Sequence, residues 1–265
     1  MIIQSFVRDD LKFIRDLQPE GWGDITPSIE LYTKSSFCFP MKVMVDDEIA
    51  GIGTAIMHDA VAWLAHIIVR SEFRKRGIGR FITEGLLSNA QVKKCETVFL
   101  IATELGAPVY EKVGFETETE YLYFKDVKID NLLMTTQLIY LYEASFKSLV
   151  AEMDKTNSSE DRLFNLEPHF QNGYVYSPGK IEGFYLPTFG DGLIIAINPS
   201  AGIELLKLHL QSNNKIAFPK DNLVATNYLN EQGFREFSTG KRMRIGKKRN
   251  VKLENIYNRI GGNLG

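Results

Sequence analysis

Runs of apolar residues, some alternating with polar ones and some continuous, divide the chain into segments of predictable structure. Residues 1–7 are typical of a strand, and residues 41–57 contain two β-branched runs broken by a pair of aspartates, which predicts a hairpin. The run AVAWLAHIIV, residues 60–69, is almost wholly apolar, so we expect a central strand there. After a basic turn, apolar residues at helical spacing predict an amphipathic helix that starts near Ile78.

The next segments continue this order. ETVFLIAT, residues 96–103, predicts another buried strand, and GAPVYEKVGF predicts a short helix that ends at Gly114. The alternating residues 116–126 that follow predict an exposed strand. Strands that alternate with helices are typical of an α/β (α+β) domain.

Part of this order is repeated in the second half of the chain. YLNEQGFREF, residues 228–237, matches VYEKVGFETE, residues 109–118, and each copy follows a predicted strand and helix. Where the first copy has RSEFRKRGIG, the second has only NPSAG. The repeat predicts two domains, residues 1–128 and residues 129–265, with the polar segment 128–160 as the connector; without the connector, the second domain is the smaller one.

Composition limits the class of protein. The chain has 265 residues, 44% of them hydrophobic and 24% charged, which is typical of a folded protein with one or two cores. The formal charge of −2 gives no overall basic field for nucleic acid or a membrane. Cys38 and Cys95 have no close cysteine partner, so we expect free thiols. No signal peptide and no long apolar run is evident, so we expect a cytoplasmic protein without a membrane span.

The basic turn before the predicted helix is the strongest chemical signal. A helix N-terminus offers unpaired N–H groups and partial positive charge, and Gly77 and Gly79 would let a bulky anion approach the backbone. Four basic side chains surround it, which favours a diphosphate. A dinucleotide fingerprint would need glycine at Ile82, and a Walker loop would need Gly-Lys-Ser or Gly-Lys-Thr, so neither motif is present.

The remaining pattern, Arg/Gln-x-x-Gly-x-Gly at a strand-to-helix turn, resembles the acyl-coenzyme A loop of the GCN5-related N-acetyltransferases (GNAT family). Arg74, Gly77 and Gly79 fill its defining positions, and Val69 and Phe73 fill the apolar and aromatic positions before it. TELGAPVYEKVGFE resembles the second element of the family. The resemblance covers about the first half of the chain, and the second half resembles a degenerate acetyltransferase-like domain.

The resemblance implies a GNAT fold, in which helices flank a mixed, twisted sheet, followed by a smaller α/β domain that resembles a partial repeat. It also implies an N-acetyltransferase, in which the primary amine of a small molecule or peptide attacks acetyl-CoA directly in a ternary complex. The cofactor would contact the strand end, the turn and one helix. The positions carried over are Ile67, Ile68, Val69, Arg74, Lys75, Arg76, Gly77, Ile78, Gly79, Arg80 and Tyr110.

Two residues are candidates for proton transfer. Tyr110 matches the family tyrosine that protonates the leaving thiolate, although a tyrosine there could also simply pack in the groove wall. His66 is a candidate general base, with a structural or substrate-orienting role as the alternative. Strand alternation would place His66 and Ile68 on one face, so its direction depends on whether the strand has a bulge.

Candidates for binding the acceptor amine are Trp22, Asp24 and Glu104, although a loop tryptophan is often a packing anchor and most exposed acids are only solvated. The histidines show no metal-ligand spacing, so no metal is expected. The basic run at 240–252 lacks aromatic residues and is expected to be a solvated strand edge, not a nucleic-acid site. A homodimer is left open. The competing hypothesis is a non-catalytic acyl-CoA sensor or interaction module.

Overall fold

A computed structural model of the chain describes residues 1–129 and 136–265, which form two compact units. The first unit contains Met1–Glu116 and two short later segments, Met243–Lys248 and Gly262–Leu264. The second contains most of the residues from Thr117 to Gly261. The two units therefore interleave along the chain, and a boundary at residue 128 stays a prediction.

The first unit is a sheet with helices packed against it. Its strands lie in the order β1-β2-β3-β4-β5, and all neighbours are antiparallel except β4 and β5, which are parallel. The strands are β1 Ile2–Ser5, β2 Cys38–Val45, β3 Glu48–His58, β4 Val61–Val69 and β5 Thr97–Ala102. The α-helices are α1 Ile14–Leu17, α2 Thr26–Lys34, α3 Ile78–Val92 and α4 Ala107–Val113, with 3-10 turns at Arg8–Phe13 and Ser71–Phe73.

The predicted hairpin is confirmed. β2 and β3 pair up to Val45 and Glu48, and the two aspartates between them, Asp46 and Asp47, have φ values of 49° and 64°. Left-handed backbone at both central positions is the geometry of the two-residue turn that matches strand twist, and aspartate tolerates it better than most residues.

Helix α3 packs closely on β3 because β3 has a glycine under it. A Cβ atom on Gly53 would lie 2.6 Å from Cγ2 of Ile82, closer than packing allows. Ile78, Ile82 and Leu86 are all buried along the inner face of the helix, as its apolar spacing predicts. This packing places the N-terminus of α3 beside the end of β4.

The second unit has its own five-stranded sheet, in the order β13-β10-β9-β8-β7. Its strands are β6 Glu116–Phe124, β7 Ile139–Leu141, β8 Tyr174–Tyr176, β9 Gly183–Leu186, β10 Leu193–Ala196, β11 Ile216–Pro219, β12 Ser238–Gly246 and β13 Ile256–Asn258. Its α-helices are α5 Lys147–Ser158, α6 Leu163–Leu166, α7 Pro199–Leu210 and α8 Leu223–Glu231. The 3-10 turns are Ala144–Phe146, Glu167–Asn172 and Leu253–Asn255. The first residue of β6 and the end of β12 belong to the first unit.

Strand β6 is less exposed than its alternating sequence predicts. Tyr121 and Phe124 are buried, because β6 pairs with β11 and the Phe124 ring stacks on Phe218 at 5.4 Å. Glu118, Glu120 and Leu122, which alternate with buried Thr119 and Tyr121, are partly exposed, so only one face of the strand reaches solvent.

The structure supports the predicted repeat in its hydrogen bonds. Gly114 ends α4 with a φ of 106°, and Gly233 follows α8 with a φ of 84°. In the first copy the Phe115 N–H donates to the Tyr110 carbonyl; in the second, the Phe234 N–H donates to the Leu229 carbonyl. The two helix ends therefore match bond for bond, as left-handed glycine caps do.

The expectation that 128–160 is a connector is wrong for its second part, and residues 130–135 lie outside the described residues. Residues 147–158 form α5, and five residues of the polar stretch at its end are buried: Asp154, Asn157, Ser158, Glu160 and Arg162. Asp154 and Arg162 form a two-bond ion pair at 2.9 Å, with side chains only 1% and 5% exposed. The polar sequence therefore reflects a buried charge pair.

Three of the seven basic residues in the run 240–252 pair with carboxylates. Arg242 pairs with Glu118 at 3.2 Å, Arg244 with Glu116 at 2.9 Å, and Lys247 with Glu96 at 3.1 Å. Arg242 is also buried, so this part of the run is not a solvated edge.

Cys38 and Cys95 are both free thiols, as predicted. Across residues 1–129 and 136–265, no helix is both long enough and apolar enough to cross a lipid bilayer. The same residues contain no group of His, Cys, Asp and Glu side chains arranged to hold a metal ion.

Candidate functional site

Strands β4 and β5 separate at the middle of the first unit's sheet. Their parallel pairing covers only Val61–Trp63 of β4 and Thr97–Phe99 of β5. Within the described part of the chain, the rest of β4 pairs with β3 alone. Its other edge therefore keeps N–H and C=O groups that an extended ligand could bond in the manner of an added strand.

A β-bulge in β4 reverses which face its last residues occupy. Ile52 and Thr54 of β3 pair with Ile68 and Ala65 of β4, so one residue on β3 opposes two on β4, and His66 has a φ of 46°. Before the bulge, Leu64 packs in the cluster under α3; after it, Ile67 joins that cluster. His66 is therefore turned away from α3, towards α2.

His66 lies in an aromatic cluster. Its Nδ1 atom is 3.1 Å from the hydroxyl oxygen of Tyr32 on α2, and the Trp22 ring is 6.2 Å away, edge to face. The Tyr32 hydroxyl also accepts a hydrogen bond of 3.0 Å from the side-chain amide of Asn263. Burial lowers the pKa of His66 to about 4, so the imidazole is neutral at physiological pH.

This lowered pKa predicts a specific loss of stability in acid. The folded state favours neutral His66, whereas an unfolded histidine titrates near pH 6.5. The stabilisation of the folded state from this preference is therefore complete above pH 6.5 and is lost as the pH falls towards 4. Relative to the variant His66→Gln, the wild type should lose about 3 kcal/mol between pH 7 and pH 4. Urea unfolding of both proteins across this range measures the difference, and parallel stability curves would contradict it.

The turn between β4 and α3 presents a row of unpaired backbone N–H groups. Lys75 and Gly77 have φ values of 62° and 79°, and left-handed residues within a turn can fold its N–H groups around a concavity. Within the described residues, the N–H groups of residues 75–80 have no hydrogen-bond acceptor, and the first intact bond of α3 runs from Phe81 to Gly77. Because α3 is 15 residues long, its dipole adds positive potential at this point.

Three of the four predicted cations at this turn have no carboxylate partner among the residues described. Arg74 folds back so that its Nε donates to the Val69 carbonyl at 3.2 Å, and Arg76 lies over the Phe73 ring at 5.4 Å. Lys75 is exposed at the tip of the turn. Arg80 differs because it pairs with Glu84 at 2.7 Å along the helix. The turn therefore holds net positive charge around its unpaired N–H groups.

Tyr110 lies on α4, which neighbours the start of α3. A Cβ atom on Gly79 would be 3.7 Å from Val69 and 3.9 Å from Val109, so α4 adjoins both the turn and the end of β4. The Tyr110 ring packs edge to face on Phe115 at 6.1 Å, and burial raises its pKa to about 12. Within the described residues, its hydroxyl has no hydrogen-bond partner.

The three residues predicted to bind the acceptor amine have different surroundings in the structure. Trp22 is 47% exposed and joins the His66 cluster, and its loop is held by Gln18, whose side chain bonds the carbonyls of Trp22 and Gly23. Asp24 instead accepts the N–H of Thr26 at 2.9 Å, and Thr26 lowers the pKa of this exposed carboxyl group. Glu104 is in the exposed turn between β5 and α4.

Two residues of the cluster were missed by sequence reasoning. Tyr32 occupies an ordinary core position of a short helix, and nothing in its spacing distinguishes it from a packing residue. Asn263 comes from the short C-terminal segment that joins the first unit. No sequence pattern indicates that this segment reaches His66, because the contact depends on the path of the second half of the chain.

The second unit has no comparable anion site at the corresponding helix. Asn198 caps α7 by accepting the Ser200 N–H at 2.8 Å, and Pro199 has no N–H. A Cβ atom on Gly202 would lie 2.0 Å from the Tyr257 ring, so this glycine serves packing. At the start of α7, therefore, the Ser200 N–H donates to the Asn198 side chain and the Gly202 N–H donates to the Asn198 carbonyl.

The edge of β10 that corresponds to the open edge of β4 is also filled. Strand β13 pairs with β10, and Asn258 accepts the Ala217 N–H of β11 at 3.0 Å. Arg259 then donates its N–H to the Ala217 carbonyl at 2.9 Å. In the second unit, therefore, β13 and Arg259 occupy the position beside β10 that corresponds to the open strand edge of β4 in the first unit.

Comparisons with known proteins identify the fold. The sequence profile of the acetyltransferase (GNAT) domain matches residues 30–135. A structure from Pyrococcus horikoshii assigned as an acetyltransferase aligns with a TM-score of 0.83 and 21% identity, covering 100% of this chain and 95% of that one. No curated protein shows significant sequence similarity.

A tandem GNAT protein and a further GCN5-related N-acetyltransferase are also similar in fold. A tandem GNAT protein from the clavulanic acid biosynthesis pathway aligns with a TM-score of 0.60 and 12% identity, covering 92% of this chain and 98% of that one. A GCN5-related N-acetyltransferase from Anabaena variabilis gives a TM-score of 0.58 at 12% identity, covering 92% of this chain and 72% of that one. Residues 30–135 therefore match the GNAT domain model, and the chain has a GNAT fold with a mixed sheet flanked by helices, like that of the tandem GNAT protein.

Proposed function

We propose that the chain is an N-acetyltransferase that transfers the acetyl group of acetyl-CoA to a primary amine of a small molecule or peptide. The observation that carries this proposal is the row of unpaired N–H groups at residues 75–80, with unpaired cations around it, at the end of a strand that has an open edge. Anions of high charge bind such helix starts.

The residues of the first unit suit acetyl-CoA in three parts. The turn from Arg74 to Arg80 would bind the diphosphate, because its donors and charges have no partner within the described residues. Ile67, Ile68 and Val69 would lie along the pantetheine arm, bonding it through the open edge of β4. Bound acetyl-CoA would supply an activated thioester carbonyl, which a backbone N–H on this edge is suited to polarise.

The acceptor must reach the thioester as a free amine. An alkylammonium has a pKa near 10.4, so a proton must leave before nitrogen attacks carbon, the C–S bond breaks, and amide and thiol form. Trp22 and His66 form the wall where the acceptor would bind, with the tryptophan face available for the carbon chain or the ammonium. Either of two roles suits His66, that of base or that of hydrogen-bond donor.

Tyr110 would assist the leaving sulfur. Its pKa of about 12 keeps the phenol protonated, so a donor is always present. Since a thiol titrates near 8.5, complete transfer of the phenolic proton would be uphill by about 3.5 units. Tyr110 would therefore stabilise the departing thiolate by a hydrogen bond, while the final proton comes from the amine or water.

Calorimetry and a thiol-release assay test the proposal together. One equivalent of acetyl-CoA should bind per chain, because α7 and β10 of the second unit are already satisfied. Thiol release should then depend on an added amine, screened over polyamines, amino acids, aminoglycosides and peptide N-termini, with ATP and NADH as control nucleotides for binding. Binding without release for every amine would favour the acyl-CoA sensor, and tight binding of a control nucleotide alone would refute both.

A further inference from the structure

We propose that Asn263, acting through Tyr32, holds His66 as the tautomer protonated at Nε2, so that His66 is a hydrogen-bond donor to the acceptor and not its base. The contact with the acceptor rests on the function proposed above. The tautomer itself is a property of the protein alone. Asn263 is in this sense a positioning residue.

The Tyr32 hydroxyl has a single proton, and the hydrogen bond that Tyr32 accepts determines where this proton points. Tyr32 is 2% exposed, and its oxygen accepts a hydrogen bond of 3.0 Å from Nδ2 of Asn263. An oxygen that accepts from Asn263 still carries its own proton, and a buried donor needs an acceptor. Within the described residues, the only other partner of this hydroxyl is Nδ1 of His66, at 3.1 Å.

The direction of that hydrogen bond fixes the imidazole. A neutral imidazole has one N–H and one lone-pair nitrogen. If Nδ1 accepts from Tyr32, the proton must be on Nε2. Within the described residues Nε2 has no partner, so its N–H is available to a ligand.

The consequence is a defined chemistry for the acceptor. A neutral Nε2–H recognises an oxygen acceptor, such as a hydroxyl or carbonyl oxygen near the reacting amine. It cannot take a proton while it carries its own. Removal of the ammonium proton would then fall to water, and the aromatic cluster would position the substrate.

His209 in the second unit provides an internal reference. Its Nδ1 faces the Tyr185 hydroxyl at 3.0 Å, and its Nε2 faces the Lys215 carbonyl oxygen at 2.9 Å. A carbonyl can only accept, so Nε2 of His209 must carry the proton. The second unit therefore contains the same kind of Tyr–His contact, and there a backbone carbonyl determines which imidazole nitrogen carries the proton.

The tautomer can be measured in the full chain without any ligand. Long-range ¹H–¹⁵N correlation spectra of protein labelled at histidine, in mildly alkaline buffer, distinguish a protonated from an unprotonated ring nitrogen. The His66 signals are assigned by their loss in His66→Gln. We expect wild-type His66 to match His209, with Nε2 protonated. Protonation at Nδ1, as would follow if the Asn263 amide oxygen faced Tyr32, would overturn the proposal.

Two variants at one position separate positioning from mere structure. In Asn263→Asp the carboxylate can only accept, so Tyr32 should donate to it and accept from His66, which moves the imidazole proton to Nδ1. In Asn263→Ala no donor fixes the direction of the Tyr32 hydroxyl, so both tautomers of His66 should be populated. An unchanged tautomer in a folded Asn263→Asp protein would refute the role of Asn263.

Activity adds a second readout. If His66 donates to the acceptor, Asn263→Asp should raise KM for the amine by about tenfold, about the strength of one hydrogen bond, with acetyl-CoA affinity unchanged. Asn263→Ala should change KM less. If the tautomer reverses but KM changes for no amine, Asn263 still sets the tautomer through Tyr32, and the proposed donation from His66 to the acceptor is refuted.

Discussion

Replacing Gly79 with alanine is expected to weaken acetyl-CoA binding by about 100-fold, about 2.7 kcal/mol, while the protein stays folded. The added Cβ would meet only side-chain atoms of Val69 and Val109, at 3.7 and 3.9 Å, so the protein itself has room for it. It would project beside the N–H groups that are proposed to hold the diphosphate, and charge-assisted hydrogen bonds lost there cost about 1.5–3 kcal/mol each.

Stability and affinity should therefore move in opposite directions. Gly79 has ordinary helical geometry, so alanine should raise the free energy of unfolding by about 0.5–1 kcal/mol. Gly23→Ala is the control for an added methyl group, because its Cβ would meet nothing within 4 Å and Gly23 is remote in sequence from the turn. Calorimetric titration and thermal unfolding of both variants decide the matter; equal acetyl-CoA affinity in Gly79→Ala and wild type would show that the diphosphate does not approach this residue.

In Tyr110→Phe we expect kcat to fall by about 100-fold, with the dissociation constant of acetyl-CoA nearly unchanged. A hydrogen bond to a charged group such as the departing thiolate is worth about 1.5–3 kcal/mol, which is about 10- to 150-fold in rate. The hydroxyl has no hydrogen-bond partner among the residues described, and the ring would keep its contact with Phe115, so its removal should cost little stability. Steady-state rates with saturating acetyl-CoA measure the effect.

The conservative control for this variant is Tyr140→Phe, a change of the same atoms on an exposed tyrosine of the second unit. It should leave both constants as they are. An unchanged kcat in Tyr110→Phe, once chemistry is shown to be rate-limiting, would assign Tyr110 to packing and remove it from the reaction.

Local chemistry explains which parts of the structure the sequence could predict. The two central positions of the β2–β3 turn and the position after α4 require left-handed backbone, which few residue types adopt readily. The aspartates and the glycine found there could therefore be recognised from the sequence. The basic turn could also be recognised from the sequence, because cations and glycines clustered at a helix start have few roles other than anion binding.

The remaining features depend on contacts between distant residues. The bulge at His66 is one added residue in a run of apolar residues, and alternation alone cannot reveal a change of face. The polar residues at the end of α5 predicted a connector, because the sequence does not show that Asp154 and Arg162 pair with each other in the folded protein. Asn263 reaches Tyr32 only through the path of the second half.

The outer edge of β5 has a consequence for synthesis on the ribosome. The Glu96 carbonyl accepts the N–H of Lys247, and the Thr97 hydroxyl donates to the Lys247 carbonyl, so this edge is completed by residues made about 150 positions later. A nascent first half would expose an unpaired strand edge, which invites mispairing with other chains. Gene fission between the halves should therefore yield an insoluble first fragment unless both pieces are made together.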